Sequence, residues 1–248
     1  VAAATTDLGA MKAVIFDLDG VVTRTAEAHA EAWKQLFDEY LTARAQRLGE
    51  TFRPFDRASD YRRFVDGKPR HEGVSSFLRS RGIELPFGSP DDPEDSETVC
   101  GLGNRKNRYF LDALATRGAD PYPSTLALIT RLRQRGVRTA IVSSSRNCAA
   151  VLEAAGIGDL FDAKVDGVDA AELGLAGKPD PAVFVDAARR LDVDPRHAAV
   201  IEDAIAGVEA GRRGGFGLVV GVDRGAQSEA LAAAGADIVV DDLEELAA

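Results

Sequence analysis

The chain has 248 residues, 45% of them apolar, with 40 acidic side chains against 30 basic ones and a formal net charge of −10. That length suits one large domain or a core with a smaller second domain, and the apolar share can bury a core without staples. The acidic balance argues against nucleic acid or an anionic membrane as the main partner, because both select basic surfaces.

Cysteine occurs only at positions 100 and 148, without CxxC spacing, and there are only three histidines. This pattern argues against a disulfide framework or a structural zinc site and fits a reducing cytoplasm. The leader VAAATTDLGA (residues 1–10) has neither a basic n-region nor a long apolar h-region, so it reads as a disordered tail and not a secretory signal. No stretch approaches the about 18 apolar residues of a membrane span.

In chain order, Ala13–Phe16 is the first short apolar run and reads as a strand buried on both faces. A long helix follows over about Ala26–Leu48, with Trp33, Leu36, Phe37, Tyr40 and Leu41 at helical spacing, which reads as core packing. Gly73–Arg81 and Glu97–Thr116 continue the helical pattern, and the Pro-, Gly- and acid-rich stretch Pro86–Ser96 between them reads as a solvated loop. Beyond residue 118 strand and helix alternate. Ser124–Arg135 is a helix with Leu126, Ile129 and Leu132 on one face and Gly136 as its stop, and Thr139–Val142 is a strand. Helices Ala149–Ala155 and Pro181–Leu191, strand Ala198–Ile201, helix Ala204–Arg213 and strands Phe216–Val220 and Asp237–Val240 complete the reading. This alternation predicts an α/β fold, a doubly wound parallel sheet, with the core formed by residues 11–24 and 118–248. Residues 25–117 are an all-helical cap inserted after the first strand.

Ligands bind outside the carboxyl ends of the strands in open α/β sheets. After Phe16 come Asp17 and Asp19; after Val142 come Ser143-Ser144-Ser145-Arg146-Asn147; after Ile201 come Glu202-Asp203; and Gly177-Lys178-Pro179 precedes the helix near Pro181. Lysine is rare here, with 24 of the 30 basic residues being arginine, so Lys178 stands out. Carboxylates from different strands suit a hard, oxygen-loving cation such as Mg2+, while a hydroxyl, helix-start N–H groups and a lysine suit phosphate oxygens. An aspartate beside a metal and a cation can serve as a phosphoryl-accepting nucleophile, and a second carboxyl close by can stay protonated. The bland readings are an Asx turn for Asp17 and Asp19, an acidic helix start for Glu202-Asp203 and a helix cap for Ser143–Ser145.

Asp17-Leu18-Asp19-Gly20-Val21 with Thr23, then Ser143, then Gly177-Lys178-Pro179, then Glu202-Asp203 resembles the four ordered motifs of the haloacid dehalogenase superfamily. Within it, DLDGVVTRTAEAHAEAW (17–33), VSSSRN (142–147) and IEDAIAG (201–207) resemble the β-phosphoglucomutase group. The resemblance implies that Asp17 is nucleophile and metal ligand, and that Asp19 is general acid/base and offers its carbonyl to the metal. It implies that Glu202 and Asp203 complete a Mg2+ site, and that Ser143 and Lys178 grip the transferring phosphate with Ser144 and Asn147 at its margin. In the cap it assigns substrate-side roles to Thr25 and His29, to Gly67 and Arg70 on the loop for a non-transferring phosphate, and to Lys106 and Asn107.

Three positions depart from that pattern. Arg24 stands where relatives carry an acid between two threonines, Asp66 aligns with a cap lysine that Lys68 could replace, and Thr42–Tyr61 makes a longer first cap connection. The leading expectation, motivated by the cap loop with Arg70, is a cytoplasmic, monomeric mutase interconverting β-glucose 1-phosphate and glucose 6-phosphate through an aspartyl-phosphate and a bisphosphate. The alternatives are a Mg2+-dependent phosphatase acting on a sugar phosphate or related ester, and a non-catalytic phosphate-binding regulator. The partner in each case is a small phosphorylated molecule.

Overall fold

A computed structural model describes residues Leu8–Leu246. They form two compact units, one holding the described residues up to Arg24 together with those from Ala119 onward, the other Thr25–Gly118. Residues 1–7 of the expected disordered leader lie outside the described residues. Leu8–Ala10 form a 3-10 turn with Leu8 fully buried, so ordered chain starts before Met11.

The first unit is built on six strands: β1 (Ala13–Asp17), β2 (Arg138–Val142), β3 (Ala163–Val165), β4 (Ala198–Glu202), β5 (Leu218–Val222) and β6 (Ile238–Val240). Their order is β3-β2-β1-β4-β5-β6, and every neighbouring pair is parallel. All five residues of β1, β4 and β5 are buried, as an apolar run covered on both faces requires. The chain runs outward in opposite directions from β1 toward β2 and toward β4, so the carboxyl ends of β1 and β4 flank the switch point where such sheets bind ligands.

The second unit contains α1 (Thr25–Leu48), α2 (Arg70–Ser80) and α3 (Val99–Arg117), with one π-helical turn at Tyr61–Val65. Trp33, Leu36, Phe37, Tyr40 and Leu41 of α1 lie in its core, with the Phe37 ring tilted against Phe55 and Phe77 at centroid separations of 5.2 and 4.1 Å. Phe55 comes from the long connection after α1. Its N–H donates to Asp38 Oδ1 at 2.7 Å and its carbonyl accepts from Lys34 Nζ at 3.1 Å, so the added chain is tied to α1. The expected solvated loop at Pro86–Ser96 is also tied down. Asn104 Nδ2 donates to the carbonyls of Pro90 and Asp92 at 2.9 Å, and Arg105 Nε donates to Glu94 O at 2.7 Å.

Returning to the first unit, α4 (Pro123–Gln134), α5 (Cys148–Ala155), α6 (Gly167–Leu173), α7 (Ala182–Arg190), α8 (Ile205–Arg213) and α9 (Ser228–Ala234) alternate with the strands. Pro123 occupies the first turn of α4, where its missing N–H would be unsatisfied anyway. The buried face of α4 is Thr125, Leu128, Ile129 and Leu132, whereas Leu126 is only half-buried. Each fully buried Leu or Ile there contributes roughly 1.5–3 kcal/mol. Alternate strand residues, among them Ile15, Ala140 and Val200, pack with Phe184 of α7 and Val208 of α8 in one core. Among the described strands and α-helices, β3, α6 and α9 lie outside the sequence-based expectation. β3 is three residues long, α6 starts at an Asp166–Asp169 capping box yet buries no side chain, and α9 buries only Leu231. None of them carries an apolar stripe long enough to read. Among the described residues, no helix is long and apolar enough to cross a membrane.

Candidate active site

β1 ends at Asp17, and the chain then turns sharply. The N–H groups of Val22 and Thr23 both donate to Leu18 O, at 3.0 and 2.9 Å, and Gly20 N–H donates to Thr23 O at 2.8 Å. Leu18, Val21 and Val22 are fully buried and anchor the turn, and Thr125 Oγ1 of α4 donates to Val21 O at 2.8 Å. Gly20 has φ +94°, and a Cβ built on it would lie 1.9 Å from Asp203 Oδ2, so only glycine fits beside that carboxylate.

Asp17 is buried, and its Oδ1 accepts a hydrogen bond from Lys178 Nζ. The same ammonium donates to Glu202 Oε1 at the end of β4, and it sits 4.9 Å from the Phe184 ring centroid. The other Glu202 oxygen, Oε2, accepts from Ala204 N–H at 2.8 Å. Lys178 is 1% exposed and Glu202 fully buried. One ligand atom each from Asp17, Glu202 and Asp203 falls within a 4.8 Å cluster. Burial raises the Asp17 pKa well above the usual carboxylate range, opposed by Lys178 and reinforced by Glu202 and Asp19. For Lys178 burial disfavours the charge, but Asp17 and Glu202 outweigh it and hold the ammonium protonated above its ordinary range.

Asp19 is half-buried, and its Oδ2 accepts from Ser143 Oγ at 3.3 Å. Ser143 follows β2, its N–H donates to Val165 O of β3, and its Oγ also accepts from Ser145 N–H at 3.1 Å. Ser144 and Asn147 lie half-buried in the same loop, where Asn147 N–H donates to Ser145 Oγ at 3.1 Å. Asp17, Asp19, Ser143, Lys178, Glu202 and Asp203 are thus brought to the carboxyl edge of one sheet. Cys148 is buried beside them, and burial, with Asp166 and Asp19 adding to it, pushes its thiol above the ordinary range, away from the thiolate a nucleophile needs.

The remaining candidates lie in the second unit. Thr25 opens α1 and is buried; Gly67 has φ +68° in the turn before α2, and Arg70 is the first residue of α2. Lys106 is buried in α3, with Nζ 2.5 Å from His29 Nδ1 and 4.9 and 5.1 Å from the ring centroids of Trp33 and Phe110. The His29 ring stacks on Phe110 at 3.9 Å. Asn107 is half-buried one residue on. Lys68 Nζ is engaged with Ser76 Oγ of α2 at 3.2 Å.

Arg24 is exposed in the first unit, its guanidinium 4.3 Å from the Tyr122 ring centroid and its N–H donating to Asp120 O at 2.8 Å. Tyr122 also carries Arg224, 3.9 Å from its centroid. Arg224 and Gln227, which are not among the residues singled out from sequence, follow β5 and donate to backbone carbonyls of the site loops. The signal was present: Asp223-Arg224-Gly225 follows an apolar run as the other motifs do. The strand was expected to stop at Val220, whereas β5 continues to Val222.

A doubly wound sheet with carboxylates at the ends of β1 and β4, bridged by a buried lysine, defines a class. The haloacid dehalogenase-like hydrolase model matches residues 11–215. The chain belongs to that family. It is 50% identical over 239 residues to a β-phosphoglucomutase of Mycobacterium bovis, covering 95% of this chain and 91% of that one. It is 36% identical over 237 residues to a β-phosphoglucomutase of Bacillus subtilis, covering 95% and 92%. Among solved structures, a β-phosphoglucomutase from Clostridium difficile superposes with a TM-score of 0.74 at 27% identity, covering 95% and 93%.

Proposed function

We propose that the protein is a Mg2+-dependent phosphoryl-transfer enzyme, a β-phosphoglucomutase interconverting β-glucose 1-phosphate and glucose 6-phosphate. The observation that carries this reading is the 50% identity to a β-phosphoglucomutase over 95% of the chain, a match that includes both compact units.

The donor set fits a divalent cation. Asp17, Glu202 and Asp203 bring three carboxyl groups together beside the Lys178 ammonium, more acids than one cation balances when they ionise. All its ligand atoms are hard oxygens, the set that Mg2+ takes. Asp17 and Asp203 would hold the ion with the Asp19 carbonyl. Glu202, both of whose oxygens already accept hydrogen bonds, mainly seats Lys178 and adds charge. When bound, Mg2+ neutralises charge on the transferring phosphoryl group and lowers the Asp17 pKa.

The protein's own groups then divide the work. Asp17 attacks phosphorus and becomes an aspartyl-phosphate, while Lys178 and Ser143 hold phosphoryl oxygens. Asp19 protonates the departing sugar oxygen and, in the reverse half-reaction, takes the proton from the attacking sugar hydroxyl. The phosphoryl group leaves Asp17 for the free hydroxyl of the monophosphate and gives a bisphosphate. Its other phosphate then returns to Asp17, and glucose 6-phosphate is released. Thr25, His29, Gly67, Arg70, Lys106, Asn107, Ser144 and Asn147 are assigned to substrate recognition, with Arg70 for the phosphate that is not being transferred.

The test is phosphorus NMR of the protein with Mg2+, β-glucose 1-phosphate and a trace of glucose 1,6-bisphosphate. Glucose 6-phosphate supports the mutase. Inorganic phosphate without the isomer replaces it with the phosphatase, and an unchanged spectrum overturns both. Asp17→Asn is expected to abolish turnover, and retained activity would refute the covalent route.

A further inference from the structure

The loop after β5, Asp223–Ser228, reaches both site loops at once. Arg224 Nε donates to Gly20 O at 2.9 Å, in the turn that carries Asp17 and Asp19. Gln227 Nε2 donates to Asp203 O at 2.9 Å, in the carboxylate loop after β4. Those two loops touch, because the Asp203 carboxylate lies directly against the Gly20 Cα.

The donors are themselves held. Asp223 Oδ1 accepts from the N–H groups of Gly225 and Gln227, and Oδ2 accepts from the N–H of Ser228 at 2.9 Å and from its hydroxyl. One carboxylate therefore shapes the loop and fixes the backbone of Gln227 at the start of α9. Arg224 is fixed on its other sides by the Tyr122 ring at 3.9 Å and by Asp241 O, which accepts from Nη1 at 3.1 Å.

We propose that Arg224 and Gln227 are positioning residues that clamp the nucleophile turn and the carboxylate loop in register, so that Asp17 and Asp203 stand at metal-binding separation. Both act on backbone carbonyls of the two loops. The proposal rests on the reading of this cluster as a divalent-cation site. Holding two ligands on separate loops at one spacing is an entropic requirement, and loosening either loop spreads the ligand separation and weakens the ion.

The experiment is titration of Mn2+ into the folded protein, with free Mn2+ followed by electron paramagnetic resonance and folding by circular dichroism. Gln227→Met and Arg224→Met remove one donor each at similar volume, and each is expected to weaken Mn2+ binding roughly tenfold. Arg224→Lys keeps a donor for Gly20 O but loses the flat face on Tyr122, and it is expected to recover most of the affinity. Ile129→Val, in the buried face of α4, controls for general destabilisation and is expected to bind as wild type does. Mn2+ affinity within twofold of wild type in both Met variants overturns the clamp, whatever their thermal midpoints. An Arg224→Lys protein as weak as Arg224→Met overturns the carbonyl contact in favour of simple ring packing. Wild-type protein that binds no Mn2+ defeats the cation-site reading itself, and wild-type binding without sugar turnover defeats only the mutase.

Discussion

Gly207→Ala tests how tightly the Lys178 pocket is built, because two effects of opposite sign meet at that residue. Gly207 lies inside α8, where alanine is preferred over glycine by about 1 kcal/mol, so helix propensity alone predicts a more stable protein. The packing predicts the reverse. A Cβ at position 207 would lie 1.8 Å from Glu202 Oε1 and 2.0 Å from its Cδ, so the carboxylate must retreat by more than about 1 Å to regain ordinary contact. An exposed glutamate would swing aside at little cost, but Glu202 is fully buried and pinned at both oxygens, by Lys178 and by Ala204 N–H. Separating a buried ion pair costs about 3–5 kcal/mol, and subtracting the helix gain leaves a net loss of about 2–4 kcal/mol. Urea unfolding with an unchanged m-value measures the loss, and sugar-phosphate turnover reports the displaced lysine. A variant about 1 kcal/mol more stable than wild type, with full turnover, would refute the reasoning.

Three further outcomes follow from the same geometry. Lys178→Met leaves Asp17 and Glu202 facing each other without their shared cation, and is expected to lose about 3–5 kcal/mol in urea unfolding together with all turnover. At Asp223 burial raises the pKa, but the Ser228 hydroxyl and the N–H groups of Gln227, Gly225 and Ser228 outweigh it and hold the carboxyl down at about 2. A depressed folded-state pKa gives stability that is complete above the unfolded value near 4 and is lost as pH falls through about 2. Wild type is therefore expected to lead Asp223→Asn by about 1–2 kcal/mol at pH 6, after allowance for solvent screening, and the lead should be mostly gone at pH 2 and vanish below it in acid titrations of unfolding. Arg24→Ala removes an exposed guanidinium from the Tyr122 face and is expected to cost about 0.5–1 kcal/mol, read as a small drop in thermal midpoint.

Strand ends were the part of this protein most open to reading from residues alone. Buried parallel strands must be apolar throughout, so Ala13–Phe16 and Ala198–Ile201 announce themselves, and polar residues just beyond them fall at the ligand-binding edge. Asp17, Asp19, Ser143, Glu202 and Asp203 could be singled out for that reason, before any contact was known. Short elements with no apolar face, such as α6, left no such trace. Nor did partnerships across long separations. Lys106 meets His29 77 residues away, and Lys178 meets Asp17 161 residues away and Glu202 24 away. Arg24 stands out in the sequence only as a departure from the family pattern, whereas the tertiary structure lays it on Tyr122, which Arg224 also covers. Local sequence thus determined where the chain ends its strands in charge, through burial and period. Only the folded chain decided which charges pair, which glycines must stay small and which loop holds the others, because those depend on distances that no spacing along the chain encodes.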